Sequence, residues 1–562
     1  MHRHFLLSAA LTVAASSALF APSLTAQEHK ELGRMWTYEH APLDFLESEY
    51  GFRPTQEWLD HLRLSSLRYG GGCSASFVSP RGLILTNHHC ARENVVTVSP
   101  AGQDWLTTGW QASSLEEEVR VPELTVQQLV ATDDVTAKMN EGLTAEMTED
   151  EVNAKLAENE AAILAAAEEA SDAFDYEVKS LYQGGNYQLY TYRIYDDIRL
   201  VAVPHYQIAK FGGDPDNFTF PRFSLDFAVL RAWENDQPAN TEAHYLEWRT
   251  EGPGDNETVF VSGNPGSTGR LKTMSQIEYL RDVEHPRIVE QIIPSLLGNL
   301  ERRMENASDD EMPALRDEKA GLENARKAYT GYWAGLKNDT VVDIKRQAEE
   351  AVREAVAANA ELQESYGDVW DQMAELQELK ANASSNAQLQ EATQREAALE
   401  KKVGEAFFAV YGFSIPPDAT FSLRLSDGVV KGYEMNGTIA PHFTSLYGLY
   451  ARVTEFGGKA PFDLPQEWID AESKMDLSTP FCHVSTCDII GGNSGSPIVD
   501  AQGRLVGLVF DGNIESLGNN FIFTDDVPRT VSVHPAIIIE ALRKVYGASD
   551  IADELEGSGK GY

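Results

Sequence analysis

Short apolar runs, each closed by Gly, Pro, Asn or Asp, alternate with a long central stretch patterned at helical spacing. Residues 73–78 and 82–86 read as a β-hairpin after the Gly70-Gly71-Gly72 break. Residues 188–195, 198–203 and 257–262 read as further strands. Residues 36–68 read as short helices, with Pro54 near a helix start. Residues 115–118 and 148–173 are rich in Glu and Ala, a solvated helical composition. From about 272 to 411 the chain reads as helical: 345–364 and 387–408 carry strong helix formers and many i,i+4 charge pairs. No fixed repeat period stands out. Pro416-Pro417 ends that run, and 420–425 with 429–433 predict a hairpin around Asp427-Gly428. Residues 498–499 and 505–510 predict a strand pair around a turn at 500–503, and 536–545 a last amphipathic helix.

The candidate chemistry lies at the ends of these runs. Cys487 to Pro497 crowds glycines on both sides of one serine, Ser494. Glycine permits backbone conformations that a side chain forbids. A tight turn there exposes the hydroxyl and aims backbone N–H groups at one point, as acyl transfer requires. Taken alone, the pattern equally suits a Gly/Ser surface loop. A strand pair follows the serine, however, where a nucleophile elbow needs a helix. That argues against an α/β-hydrolase and for a β-barrel serine peptidase.

Such a serine needs a base. Leu83 to Cys90 runs an apolar strand into a polar turn holding His88, His89 and Cys90. Histidine titrates near neutral pH and can accept and return a proton. In chymotrypsin-like peptidases the catalytic His directly precedes a Cys at such a strand end, which selects His89. A His-His-Cys cluster also suits a metal, but no further ligand pair at suitable spacing lies nearby, so none is expected. For the third member, residues 211–230 form a long irregular loop feeding a strand. Asp226 sits where loop meets strand among apolar residues, and a carboxylate there needs a partner. Asp214 and Asp216 compete for that role from a Gly/Pro-rich turn that looks more solvated. The turn at 263–267 lacks a phosphate-loop ending and reads as structural.

Charge and cysteines narrow the class. Residues 1–26 read as a cleaved signal: a basic start, an apolar run from Phe5 to Phe20, and small residues before Gln27. No later stretch is apolar enough to span a bilayer. The protein is therefore expected to be exported, periplasmic or secreted. Its length of 562 residues accommodates two or more domains, and its net charge of −41 argues against nucleic-acid or anionic-membrane partners. Four cysteines allow three pairings. Cys73–Cys90 and Cys482–Cys487 are favoured, because each bond would brace one candidate catalytic motif.

Together the stretches 83–90, 211–226, 263–268, 419–426 and 488–513 resemble the dipeptidyl peptidase 7 and 11 family of exported bacterial serine exopeptidases. The similarity runs from about residue 30 to the end. It implies a mainly β catalytic domain, a chymotrypsin-like double β-barrel, with an inserted α-helical cap. The division expected is 27–275 and 473–562 for the catalytic domain and 276–472 for the mainly helical cap with its hairpin. The resemblance implies a His89, Asp226, Ser494 triad, with the N–H groups of Gly492 and Ser494 as oxyanion donors. It implies that Asn217, Phe218 and Asp511 grip the free α-amino group of a peptide. An ammonium wants such acceptors. Two tryptophans of the family's motif are Phe218 and Phe220 here, and the His after Pro-Arg is Phe223. No cofactor is implied. Peptide substrates are the partners, and the family resemblance allows a homodimer.

Substrate choice is read from Gly512. Acid-specific members of the family carry Arg there, which pairs with a substrate carboxylate. Glycine supplies no charge and leaves room, so an apolar residue is expected at the second substrate position. Asp488 stands six places before Ser494, the trypsin-like count for a basic-specific pocket. The family carries this Asp in members that prefer apolar or acidic residues, so the count is set aside. Alternatives to a dipeptidyl aminopeptidase are an exported endopeptidase and a non-catalytic peptide-binding protein.

Overall fold

The computed structural model describes residues 29–144, 146–308 and 311–557; the expected signal segment lies outside them. Two large antiparallel sheets carry the molecule. The first has eleven strands, its main path running Trp110–Gln111, Asp197–Val203, Ala228–Glu234, Leu83–Thr86, Cys73–Phe77, Ser66–Tyr69, Val126–Asp134, Asn186–Tyr195 and Asp175–Leu181. The second has seven, in the order Arg424–Val429, Thr258–Gly263, Pro497–Asp500, Leu505–Gly512, Thr530–Val533, Pro480–Ser485 and Phe443–Ser445. Among the described residues each path runs from edge to edge and no closed barrel is found; the β part of the expectation is met as two extensive antiparallel sheets.

Leu83–Thr86 is buried at every position, as a central strand between two covered faces must be. Leu83 and Val229 from the first sheet and Phe260, Phe481 and Leu505 from the second share one apolar core. Two sheets facing one another bury their inner faces jointly.

Helices fill most of Met274–Tyr411, as the pattern predicts. Helix Asp339–Ala358 is capped by Asn338, whose side chain accepts the N–H groups of Thr340 and Val341. Helix Met312–Leu336 lies against the Ile514–Asn520 turn. It approaches through glycine: a Cβ on Gly331 would stand 2.3 Å from the Leu517 side chain, and one on Gly335 would stand 2.7 Å from Gly518 Cα. The Glu/Ala-rich segment forms helix Glu149–Ala170, closed by a Thr148/Glu151 capping box.

Two expectations are corrected. Asp427-Gly428 is not a turn: Arg424–Val429 passes straight through it as an edge strand paired with Thr258–Gly263. Asp427 is buried there against Tyr50 and Arg34, at 2.7 and 3.2 Å. Gly428 permits close approach of the Cys487 backbone, since a Cβ would come 2.6 Å from Cys487 N. The hairpin comes later, between Tyr433–Met435 and Thr438–Ala440, around Asn436-Gly437. Second, Cys482 and Cys487 are free buried thiols. They lie in different apolar clusters. Cys482 sits in strand Pro480–Ser485 and Cys487 two residues past its end; Cys482 Sγ lies 3.7 Å from Ser224 O and Cys487 Sγ 3.7 Å from Val259 O, so the two thiols point to different neighbours. Desolvation pushes both thiols up to about 12. The expected Cys73–Cys90 disulfide is present.

Candidate active site

Strand pairing brings histidine and aspartate together. Leu83–Thr86 and Ala228–Glu234 run antiparallel with Thr86 opposite Ala228, so the end of one meets the approach to the other. Asn87 follows Thr86 and donates its side-chain amide to the Asp226 carbonyl at 2.8 Å. Helix His88–Val98 starts there, and the His89 N–H donates to Asp226 Oδ1 at 3.0 Å. His89 Nδ1 then lies 2.6 Å from Asp226 Oδ2. The carboxylate is held at both oxygens and fixes the ring, leaving Nε2 for other work.

Desolvation opposes protonation of His89, but the charge and hydrogen bond of Asp226 outweigh it and raise its pKa above the ordinary histidine range. Desolvation likewise opposes ionisation of Asp226, and the His89 contact overcomes that, lowering its pKa. The His89 side chain is 43% exposed, against 10% for Asp226: the base is reachable and its orienting group is not. His88 is buried, and desolvation pushes it down to about 4. Of the two histidines, His89 alone combines access with a carboxylate partner. Sulfur ligands near His89 are spent, because the disulfide joins Cys73 to Cys90.

The serine turn comes from the other sheet. Its carbonyls are occupied: Gly491 O accepts from Gly266 N at 2.6 Å, Gly492 O from Ser74 Oγ at 2.9 Å, and Ser494 O from Ser74 N at 2.7 Å. The N–H groups of Gly492 and Ser494 donate to no acceptor among the described residues. Pinned carbonyls and open N–H groups suit an oxyanion cradle. Gly492 has φ of 102°, and a Cβ there would stand 2.5 Å from Asn264 O. Only glycine fits that position without strain.

His89, Asp226 and Ser494 line one cavity of about 880 Å³. Asn217, Phe218, Asp511 and Gly512 line it too. Asp511 Oδ2 accepts the Phe218 N–H at 3.0 Å and pairs with Arg222 at 2.6 Å. Asn217 donates its side-chain amide to Asn324 Oδ1 at 2.9 Å, across to helix Met312–Leu336. Lys327 of that helix donates to the carbonyls of Asp214 and Pro215 at 2.5 and 3.2 Å, fastening helix to loop. Of the three phenylalanines in the motif, Phe218 alone lines the cavity; Phe220 and Phe223 are buried. Asp214 also lines the cavity, whereas Asp216 is buried against Arg452 at 2.9 Å, so neither competes with Asp226 for His89.

Several residues here escape sequence reading. Arg222 meets Asp511, and Asn324 meets Asn217, only through the fold. The room expected off Gly512 is filled by Ser516: a Cβ on Gly512 would stand 2.3 Å from Ser516 Oγ. Ser516 and Leu517 therefore face the cavity beside it. Asp488 lies behind the wall, buried and paired with Arg270 at 2.5 Å. Among the described residues no helix is long and apolar enough to cross a membrane.

Comparisons with known proteins cover nearly the whole chain. The chain is 24% identical to the Asp/Glu-specific dipeptidyl-peptidase of Flavobacterium psychrophilum, over 87% of this chain and 90% of that protein. It is 23% identical to dipeptidyl-peptidase 7 of Phocaeicola vulgatus, with the same coverage. The crystal structure of Porphyromonas endodontalis DPP11 in complex with the dipeptide Arg-Glu superposes with a TM-score of 0.76 at 19% identity, covering 93% of this chain and 99% of that one. The family model described as Peptidase S46 matches residues 30–395 and 379–557. With both sheets, the helical segment and the whole cavity inside that match, this protein is a serine peptidase of the Peptidase S46 family.

Proposed function

We propose that this enzyme is a dipeptidyl aminopeptidase, releasing dipeptides from the free N-terminus of peptides and preferring an apolar residue at the second position. One observation carries the reading: Asn217 and Asp511 line the same cavity as Ser494, with helix Met312–Leu336 closing over them. A carboxylate and an amide oxygen suit an ammonium group, and a capped cleft suits a chain end. The curated relatives named as dipeptidyl-peptidases support it.

In this reading the two sheets form the chymotrypsin-like frame, and the helical segment within 276–472 forms the cap. His89 takes the Ser494 proton as Oγ attacks the carbonyl of the second residue. Asp226 keeps the imidazole tautomer and stabilises the imidazolium. The N–H groups of Gly492 and Ser494 receive the oxyanion. His89 protonates the leaving amine, then activates the water that frees the dipeptide.

The apolar preference draws support from the wall residues Ile489, Ile490, Val509, Phe510 and Leu517. Arg222 is engaged by Asp511, and Asp488 by Arg270, so neither charge is offered to a substrate side chain. The test is kcat/KM on X-Leu, X-Phe, X-Asp and X-Lys reporter dipeptides, each free and N-acetylated. Free X-Leu and X-Phe should lead. Efficient cleavage of the acetylated forms would overturn dipeptide release, and X-Asp or X-Lys as best substrate would overturn the apolar preference.

A further inference from the structure

We infer that Arg270 is a positioning residue that sets the width of the pocket for the second substrate residue; this rests on the dipeptidyl reading above. Two stretches of the cavity lining bound that pocket in this reading. One is Ile489-Ile490-Gly491, which begins one residue after Asp488. The other is Ser516-Leu517, in the Ile514–Asn520 turn that ends one residue after Asn519. One guanidinium holds the roots of both. Arg270 donates through Nη1 and Nη2 to the two Asp488 oxygens at 2.5 and 2.7 Å. It donates through Nε and Nη2 to the Asn519 carbonyl at 2.9 and 2.8 Å.

The arginine is itself immobilised. Its N–H donates to Asp418 at 2.8 Å and its carbonyl accepts from the buried Lys345 at 2.5 Å, on helix Asp339–Ala358. Asp488 takes a further N–H from Arg34 at 2.8 Å. Both Arg270 and Asp488 are buried. A rigid planar fork can satisfy a carboxylate and a carbonyl together; a lysine ammonium reaching for the same carboxylate cannot. Apolar side chains of similar volume often hold a core as well as a buried ion pair does. A role in geometry, fixing one wall to the other, gives this pair a use that apolar packing would not supply.

The test compares wild type with Arg270→Lys, Asp488→Asn and the double variant R270M/D488L, which removes both buried charges together and should fold even where a single variant, leaving one charge unpaired, fails. Each is assayed for kcat and KM on free-amine X-Ala, X-Leu and X-Phe reporters, and for the rate of Ser494 labelling by a fluorophosphonate. Labelling should stay near the wild-type rate, because the nucleophile is untouched. The X-Phe to X-Ala ratio of kcat/KM should move by about tenfold or more, the range that one or two methylenes of pocket shape command. A ratio within about twofold of wild type in the folded variants overturns the role of Arg270. If wild type turns over no free-amine reporter at all, the dipeptidyl reading has failed instead.

Discussion

Arg222 and Asp511, 289 positions apart in the chain, form a buried ion pair at 2.6 Å beside the candidate nucleophile. The same Asp511 oxygen accepts the Phe218 N–H at 3.0 Å. The pair thereby ties the loop before Asp226 to the strand after Ser494. It holds the proposed amine acceptor in place before substrate arrives.

Asp511→Ala should therefore act twice. Breaking a buried pair leaves Arg222 uncompensated, at a cost of about 3–5 kcal/mol in stability. Turnover of free-amine reporters should be crippled as the acceptor is lost. Denaturant melts and reporter kinetics on the same preparation check both. A variant with unchanged stability and unchanged kcat/KM would contradict the pairing and the role together.

Ser494→Ala should abolish turnover and leave the fold intact, since loss of a nucleophile costs many orders of magnitude in rate. Gly492→Ala should fall between, by about 10²–10³ in kcat if one oxyanion donor is lost. Its Cβ would press on Asn264 O. Circular dichroism separates a distorted cradle from an unfolded chain.

The pH profile of kcat/KM should report His89. Its raised pKa, set by Asp226 against desolvation, means that the free base forms only above the ordinary histidine range. Activity should climb with pH through an apparent pKa above 6.5, and Asp226→Asn should lower that pKa along with the rate. In stability the raised pKa favours the protonated fold: that contribution is full below about 6.5 and is lost as pH rises through the folded value.

Other buried histidines act in the opposite sense. Desolvation pushes His88 and His285 down to about 4 and His483 down to about 3. Below about pH 6.5 the unfolded chain binds protons that the folded one refuses, so stability falls toward acid pH by up to about 1.4 kcal/mol per pH unit for each. Denaturation midpoints from pH 7 to 4 measure it. His483→Leu should shallow the slope, and an unaltered slope would remove His483 from the account.

Thiol titration should find no reactive cysteine in the native protein and two after denaturation without reductant, those of Cys482 and Cys487. Removing the Cys73–Cys90 bond should cost about 3 kcal/mol, for a loop spanning 17 positions. A native protein with no thiol after denaturation would restore the second bond.

The amino-acid sequence by itself determined the local pieces. Glycines around Ser494, an apolar strand running into His89, and a carboxylate at a loop-to-strand junction at Asp226 are short-range patterns, set by backbone freedom and burial. The hairpin 73–86, the strand pair after the serine and the helical character of 274–411 follow from the same local rules. Asp427-Gly428 misled because an Asp-Gly pair also suits a strand when a buried arginine and tyrosine take the carboxylate and another backbone approaches the glycine. The cysteines misled because closeness in sequence does not make two thiols face each other: they sit in different apolar clusters. Tertiary structure alone decided that His89 sits on Asp226, through the pairing of Thr86 with Ala228. It alone brought Asn324 to Asn217, Arg222 to Asp511 and Arg270 to Asp488. Those contacts join segments far apart in the chain. They depend on which strands pair and where a long helix crosses the sheets, and no short window of residues encodes that.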